Sequence, residues 1–231
     1  MFKSLARSML LCFTTTAALA AQDYMGVDVD LRNGRDVNEI CAGCHGEFGQ
    51  GGKDGEYPRL AGQPMPYIVK QMQLFRERKL DNMAMLEYVN PRDFPEEDVY
   101  DIAAYLSDIE LLTQLPPIDE SKEFDPLERL QLAKRMLNIP STEEGDPAKG
   151  RTLYNKECRS CHGSDGWGKK ADGDVPMLAG QHTNYLLNAT KKYRQGLRRH
   201  DKTDPVELLT LFTDAELMDI FAFLATADDM Q

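Results

Sequence analysis

Apolar residues recur along this chain at the three- and four-residue spacing of amphipathic helices, and no segment alternates in the two-residue rhythm of a half-buried strand. Leu217, Ile220, Phe221 and Leu224 form one apolar face behind a Thr213/Glu216 capping-box pattern. Asp146-Pro147 supplies an N-cap and a first-turn proline ahead of a helix from Ala148 to Cys158, with Leu153 and Tyr154 as its buried residues. Pro95 starts the corresponding late helix of the first half, and a further helix is expected from Tyr67 to Lys79. Asp125-Pro126 opens a helix through Leu137, whose stripe of Leu127, Leu130, Ala133, Met136 and Leu137 is expected to pack across one or both halves. The pattern predicts an all-α protein.

The signals come twice, in the same order. Cys41-Ala42-Gly43-Cys44-His45-Gly46, a glycine-rich loop, Pro58-Arg59-Leu60-Ala61-Gly62-Gln63, Tyr67 and Asp101-Ile102-Ala103-Ala104-Tyr105-Leu106 make the first set. Cys158-Arg159-Ser160-Cys161-His162-Gly163, a second such loop, Pro176-Met177-Leu178-Ala179-Gly180-Gln181, Tyr185 and Asp219-Ile220-Phe221-Ala222-Phe223-Leu224 repeat it. The offset is 117 residues at the cysteines and 118 from the prolines onward. Two tandem domains follow, at 22–115 and 146–231, joined by a helix-containing linker at 116–145.

Residues 1–20 carry Lys3 and Arg7, an apolar core and Ala18-Leu19-Ala20, which reads as a secretory signal peptide. Export to the periplasm is expected, with no integral membrane segment after cleavage. The net charge of −11 makes nucleic acid an improbable partner. Gln22 to Leu115 holds 9 Lys/Arg against 18 Asp/Glu, whereas Ala148 to Gln231 is balanced at 12 each. A basic cluster of Lys191, Lys192, Arg194, Arg198, Arg199 and Lys202 reads either as one pole of a dipole or as a solvated helix face.

Cysteine chemistry names the cofactor. Two thiols on one helical turn add to the two vinyl groups of a porphyrin, and the histidine that follows reaches the iron. Two covalently attached haem c groups are therefore expected, on Cys41 and Cys44 and on Cys158 and Cys161, with His45 and His162 as proximal ligands. Zinc is the rival, but zinc ribbons rarely place a histidine directly after both cysteine pairs.

With those motifs, both Pro-x-Leu-Ala-Gly-Gln segments and both terminal helices, the chain resembles the di-haem cytochrome c4 family, two class I cytochrome c domains in tandem. The resemblance implies electron transfer between redox partners such as a dehydrogenase or a terminal oxidase. It also implies that main-chain carbonyls of Pro58 and Pro176 accept the ring N–H of the proximal histidines, and that methionine is the sixth ligand. Met83 is favoured over Met85 in the first domain. In the second, where no methionine is suitably placed, His200 stands 42 residues after the first attachment cysteine, as Met83 does, and is the candidate, with His182 as the alternative. A second haem left open would instead suit a small-molecule redox enzyme, and a haem subunit of a dehydrogenase is a further alternative.

Overall fold

The structure is a computed structural model that describes residues 26–52, 55–137, 144–168, 173–198 and 205–226. Helices α1 (Leu31–His45), α2 (Met65–Arg76), α3 (Met83–Tyr88) and α4 (Glu96–Ser107) build the first copy. After α5 (Pro126–Lys134), α6 (Pro147–Glu157), α7 (Arg159–His162), α8 (Thr183–Arg194), α9 (Pro205–Thr210) and α10 (Asp214–Ala225) build the second. Among the described residues extended pairing is limited to two isolated bridges, Gly52 with Tyr57 and Leu112 with Met136.

Each copy is organised around its last helix. In α4, Ile102, Ala103, Ala104 and Leu106 are wholly buried between α1 and α2. In α10, Leu217, Ile220, Phe221 and Leu224 are buried against α6 and α8, together with Tyr154. The crossing of first and last helices depends on a glycine. A Cβ at Gly34 would lie 2.2 Å from the Asp101 carbonyl oxygen, and one at Gly150 would lie 1.8 Å from that of Asp219.

An aspartate then ties each crossing. Asp101 Oδ1 accepts the Asp30 N–H at 2.8 Å and Asp219 Oδ1 accepts the Asp146 N–H at 2.6 Å. Asp30 and Asp146 are themselves the N-caps of α1 and α6, their carboxylates accepting the first free amides of those helices. A matching pair of arginines closes the far side. Arg76 donates to the carbonyls of Val89 and Phe94, while Arg194 donates to those of Leu209 and Phe212 and reaches Asp214.

The helix expected from Ala148 to Cys158 forms as Pro147–Glu157 with Cys158 as its C-cap before the chain resumes as α7, whereas the attachment helix of the first copy runs unbroken to His45. Two expectations need correction. The helix expected from Tyr67 to Lys79 is Met65–Arg76, ending before the left-handed Arg78 (φ 54°). The linker helix stops at Lys134, where the chain extends so that Leu112 N–H meets the Arg135 carbonyl and Leu137 N–H the Leu112 carbonyl. That turn inserts Leu137 into the first core and leaves Leu127 and Leu130 facing outward, 71% and 53% exposed. The stripe is thus split, with only its far end packed.

Candidate haem sites and the interface between them

Both histidines stand where a helix ends. Gly46 and Gly163 take positive φ there (83° and 81°), and the chain folds back so that Gly51 N–H donates to the His45 carbonyl and Gly168 N–H to that of His162. One loop carbonyl then receives two amides of the returning strand of chain. Gly49 O accepts Leu60 N–H (2.7 Å) and Ala61 N–H (3.0 Å), and Gly166 O accepts Leu178 N–H (2.7 Å) and Ala179 N–H (2.9 Å). Gly62 and Gly180 anchor the segment's end to the Leu106 and Leu224 carbonyls of the last helices. The Leu-Ala-Gly run is thereby held between loop and helix, with the proline carbonyl over the histidine.

The ring of His45 donates from Nδ1 to Pro58 O at 2.9 Å, and that of His162 from Nδ1 to Pro176 O at 3.0 Å. Burial holds His45 below its ordinary pKa, opposed by the Pro58 bond. Burial thus favours the neutral ring, the form in which imidazole binds a metal. None of the four cysteines of the two attachment motifs is joined in a disulfide, so each is available for a thioether bond. Burial pushes Cys41 up to about 11, helped by neighbouring Cys44, and Cys158 to about 11, helped by Glu157 and Cys161.

These residues fit a porphyrin better than a lone ion. Among the described residues no three His, Cys, Asp or Glu side chains converge as a metal cluster. In the loop after Cys161-His162, the buried indole N–H of Trp167 has no partner, which suits a site completed by a polar group of a bound cofactor. The Arg59 guanidinium stands 5.9 Å from the Trp167 ring.

The two copies meet through their proline segments. Gln181 Oε1 accepts Arg59 N–H (2.8 Å) while its Nε2 donates to Arg59 O (2.9 Å). Gln63 does the same to Met177, at 3.0 and 2.8 Å. Tyr67 and Tyr185, also equivalent positions, share Arg198: its guanidinium donates to Tyr185 OH at 2.9 Å, Tyr67 OH at 3.1 Å and Gln71 Oε1 at 2.9 Å. Burial raises Tyr67 far above the ordinary phenol value, so it remains protonated.

The remaining sequence candidates fall differently. Met83 opens α3 with 74% exposure, while Met85 is half-buried against the first core. His182 is buried, and its Nε2 donates to the Gln50 carbonyl of the first copy at 2.9 Å, which makes it an interface residue. His200 and the segment 1–20 lie outside the described residues. The basic cluster is not simply a solvated face, since Arg194 and Arg198 hold internal groups and Lys192 reaches the Asp81 carbonyl. Sequence reasoning missed Gln63, Gln181 and Arg198 as interface residues; the repeated glutamine was the one available signal.

The family model for cytochrome c matches residues 32–110 and 147–228. Cytochrome c4 of Thiocapsa roseopersicina is 30% identical over 167 residues, covering 71% of this chain and 74% of that protein. This chain belongs to the cytochrome c4 family. A thiosulfate dehydrogenase electron acceptor of Stutzerimonas stutzeri (strain A1501) is 31% identical over 170 residues, covering 71% of this chain and 67% of that protein. Reduced cytochrome c4 from Pseudomonas stutzeri superposes with a TM-score of 0.65 at 20% identity, over 87% of this chain and 100% of that one, a likeness of fold. As a cytochrome c4 the chain is a di-haem electron carrier, with one covalently attached haem c for each of its two domains. No helix among the described residues is long and apolar enough to cross a membrane.

Proposed function

We propose that this cytochrome c4 relays electrons in the periplasm, accepting them from a dehydrogenase and passing them to a further redox protein. The observation that carries the reading is the repeated histidine-to-proline bond, 2.9 and 3.0 Å, within two domains joined by buried hydrogen bonds. That arrangement supports two redox centres at a fixed separation. Each haem supplies a one-electron ferric/ferrous couple.

Cys41 and Cys44, and Cys158 and Cys161, hold the two groups by thioether bonds. His45 and His162 commit Nδ1 to Pro58 and Pro176, so ligation of iron falls to Nε2, and the carbonyl fixes the ring's orientation. In domain one the inward packing of Met85 favours it over the exposed Met83 as sixth ligand, reversing the preference drawn from position alone. In domain two His200 remains the sixth-ligand candidate; His182 is set aside because its Nε2 and burial serve the interface. The leader-like segment of residues 1–20 supports export.

The dehydrogenase reading draws on relatives that act as thiosulfate dehydrogenase electron acceptors. Purified holoprotein mixed with a thiosulfate dehydrogenase and thiosulfate tests it, followed through the visible bands. Reduction that requires the enzyme is expected, and a spectrum that stays oxidised rejects this donor. Carbon monoxide addition to the reduced protein tests the ligands, since ready binding at the second haem would contradict a carrier with both irons six-coordinate.

A further inference from the structure

One peptide unit in each domain serves two hydrogen bonds at once. The unit between Pro58 and Arg59 accepts the His45 ring N–H on its oxygen and donates its own N–H to Gln181, a residue of the other domain. The unit between Pro176 and Met177 accepts from His162 and donates to Gln63. Arg59, Gln63, Met177 and Gln181 are all 3% exposed or less. Little water competes, and linked hydrogen bonds in such surroundings polarise one another. A peptide whose N–H is engaged presents a more basic carbonyl. That carbonyl holds the imidazole N–H more strongly and makes the ring a stronger donor to whatever Nε2 ligates.

We propose that Gln181 sets the redox potential of the domain-one centre and Gln63 that of the domain-two centre, each acting across the interface through the other domain's proline peptide. The inference rests on the reading that His45 and His162 ligate the irons. A stronger ring donor stabilises ferric iron, so each glutamine lowers the potential of the opposite domain's haem. The glutamines are positioning residues, acting only through the peptide. Domain docking thereby enters the ligand environment of both centres.

Gln181→Leu and Gln63→Leu, made in the full haem-bearing protein, test this. The readouts are the midpoint of each haem from its own proton NMR signals, and the Nδ1–H resonances of His45 and His162. In Gln181→Leu the half-reduced protein should hold its electron on domain one about threefold more often relative to domain two; Gln63→Leu should shift the ratio the other way by a similar factor. The His45 ring proton should move only in the first variant and that of His162 only in the second. Shifts of both haems together in each variant would mean simple opening of the interface and would overturn the proposal. So would shifts confined to the mutated domain's own haem, or none. If the leucine variants do not fold, Gln181→Asn and Gln63→Asn, too short for the paired contact, carry the same test. The mass of the wild-type holoprotein and the ligand signals of His45→Ala decide the underlying reading separately. Two covalent haems with His45 as ligand, but unmoved potentials in the variants, would sink this inference alone.

Discussion

The two domains share a scaffold and differ in the segments that follow α2 and α8 and in the residues at their interface, which separates what builds the domain from what distinguishes each copy. Asp30 and Asp146, Asp101 and Asp219, Gly34 and Gly150, the Arg76 and Arg194 bonds to the Phe94 and Phe212 carbonyls, and the two histidine–proline bonds recur at equivalent positions. The differences lie in side chains that scaffold does not need. Pro64 of the first copy becomes His182, Gln50 becomes Trp167 and Arg59 becomes Met177, all at or beside the interface. Domain one brings two methionines after α2; domain two brings none between Met177 and Met218. The frame is common to both copies, and these differences fall at the interface and in the segment after α2.

Removing a ligand breaks the comparison most sharply. Met85→Ala should abolish the weak long-wavelength absorption that a thioether gives ferric haem, and Met83→Ala should leave it, as read in the visible spectrum of the oxidised protein. Glycine variants probe the common frame next. Gly150→Ala and Gly34→Ala each force a Cβ onto a carbonyl, with an expected cost of about 3 kcal/mol from overpacking. The second domain should suffer more, its clash being closer at 1.8 against 2.2 Å. Thermal unfolding followed through each haem's own signals measures both.

Loss of the aspartate ties is smaller and reverses the order. Asp101→Ala leaves the Asp30 amide without its acceptor and takes from the Asn33 side-chain amide one of its two carboxylate partners, Asp98 being the other, whereas Asp219→Ala frees the Asp146 amide alone. Chemical denaturation should show a loss of about 2 kcal/mol for the first, and less for the second. The smallest effect concerns charge. The acidic first half should dock basic partners at a rate that falls as salt rises, through screening over roughly 10 Å, and stopped-flow exchange at two ionic strengths reads it. Equal rates would remove any electrostatic distinction between the domains.

Features made by sequence neighbours were legible before the structure. The Asp146 cap, the Thr213–Glu216 capping box and the apolar face of α10 form as expected, because each cap closes within three residues of its helix. The linker shows the limit of such reasoning. Its apolar stripe was visible in the sequence, but the pairing of Leu112 with Met136, far along the chain, decided that Leu137 is buried and Leu127 is not. Likewise the exposure of Met83 against the packing of Met85 depends on where α3 lies against the first core, which two-residue spacing does not reveal.

By itself the sequence determined the duplication, the helical class, the cysteine–histidine chemistry and the family, since all of these reside in residue order and short spacings. Tertiary structure alone decided what joins the halves. Gln63 meets Met177 and Gln181 meets Arg59 across 114 and 122 residues, Arg198 leaves a basic run to serve two tyrosines, and His182 turns to Gln50. The reason is physical. A cap or a haem-attachment turn is specified by atoms a few bonds away, whereas a buried contact between domains exists only once both chains of packing have been completed and their polar groups must find partners without water.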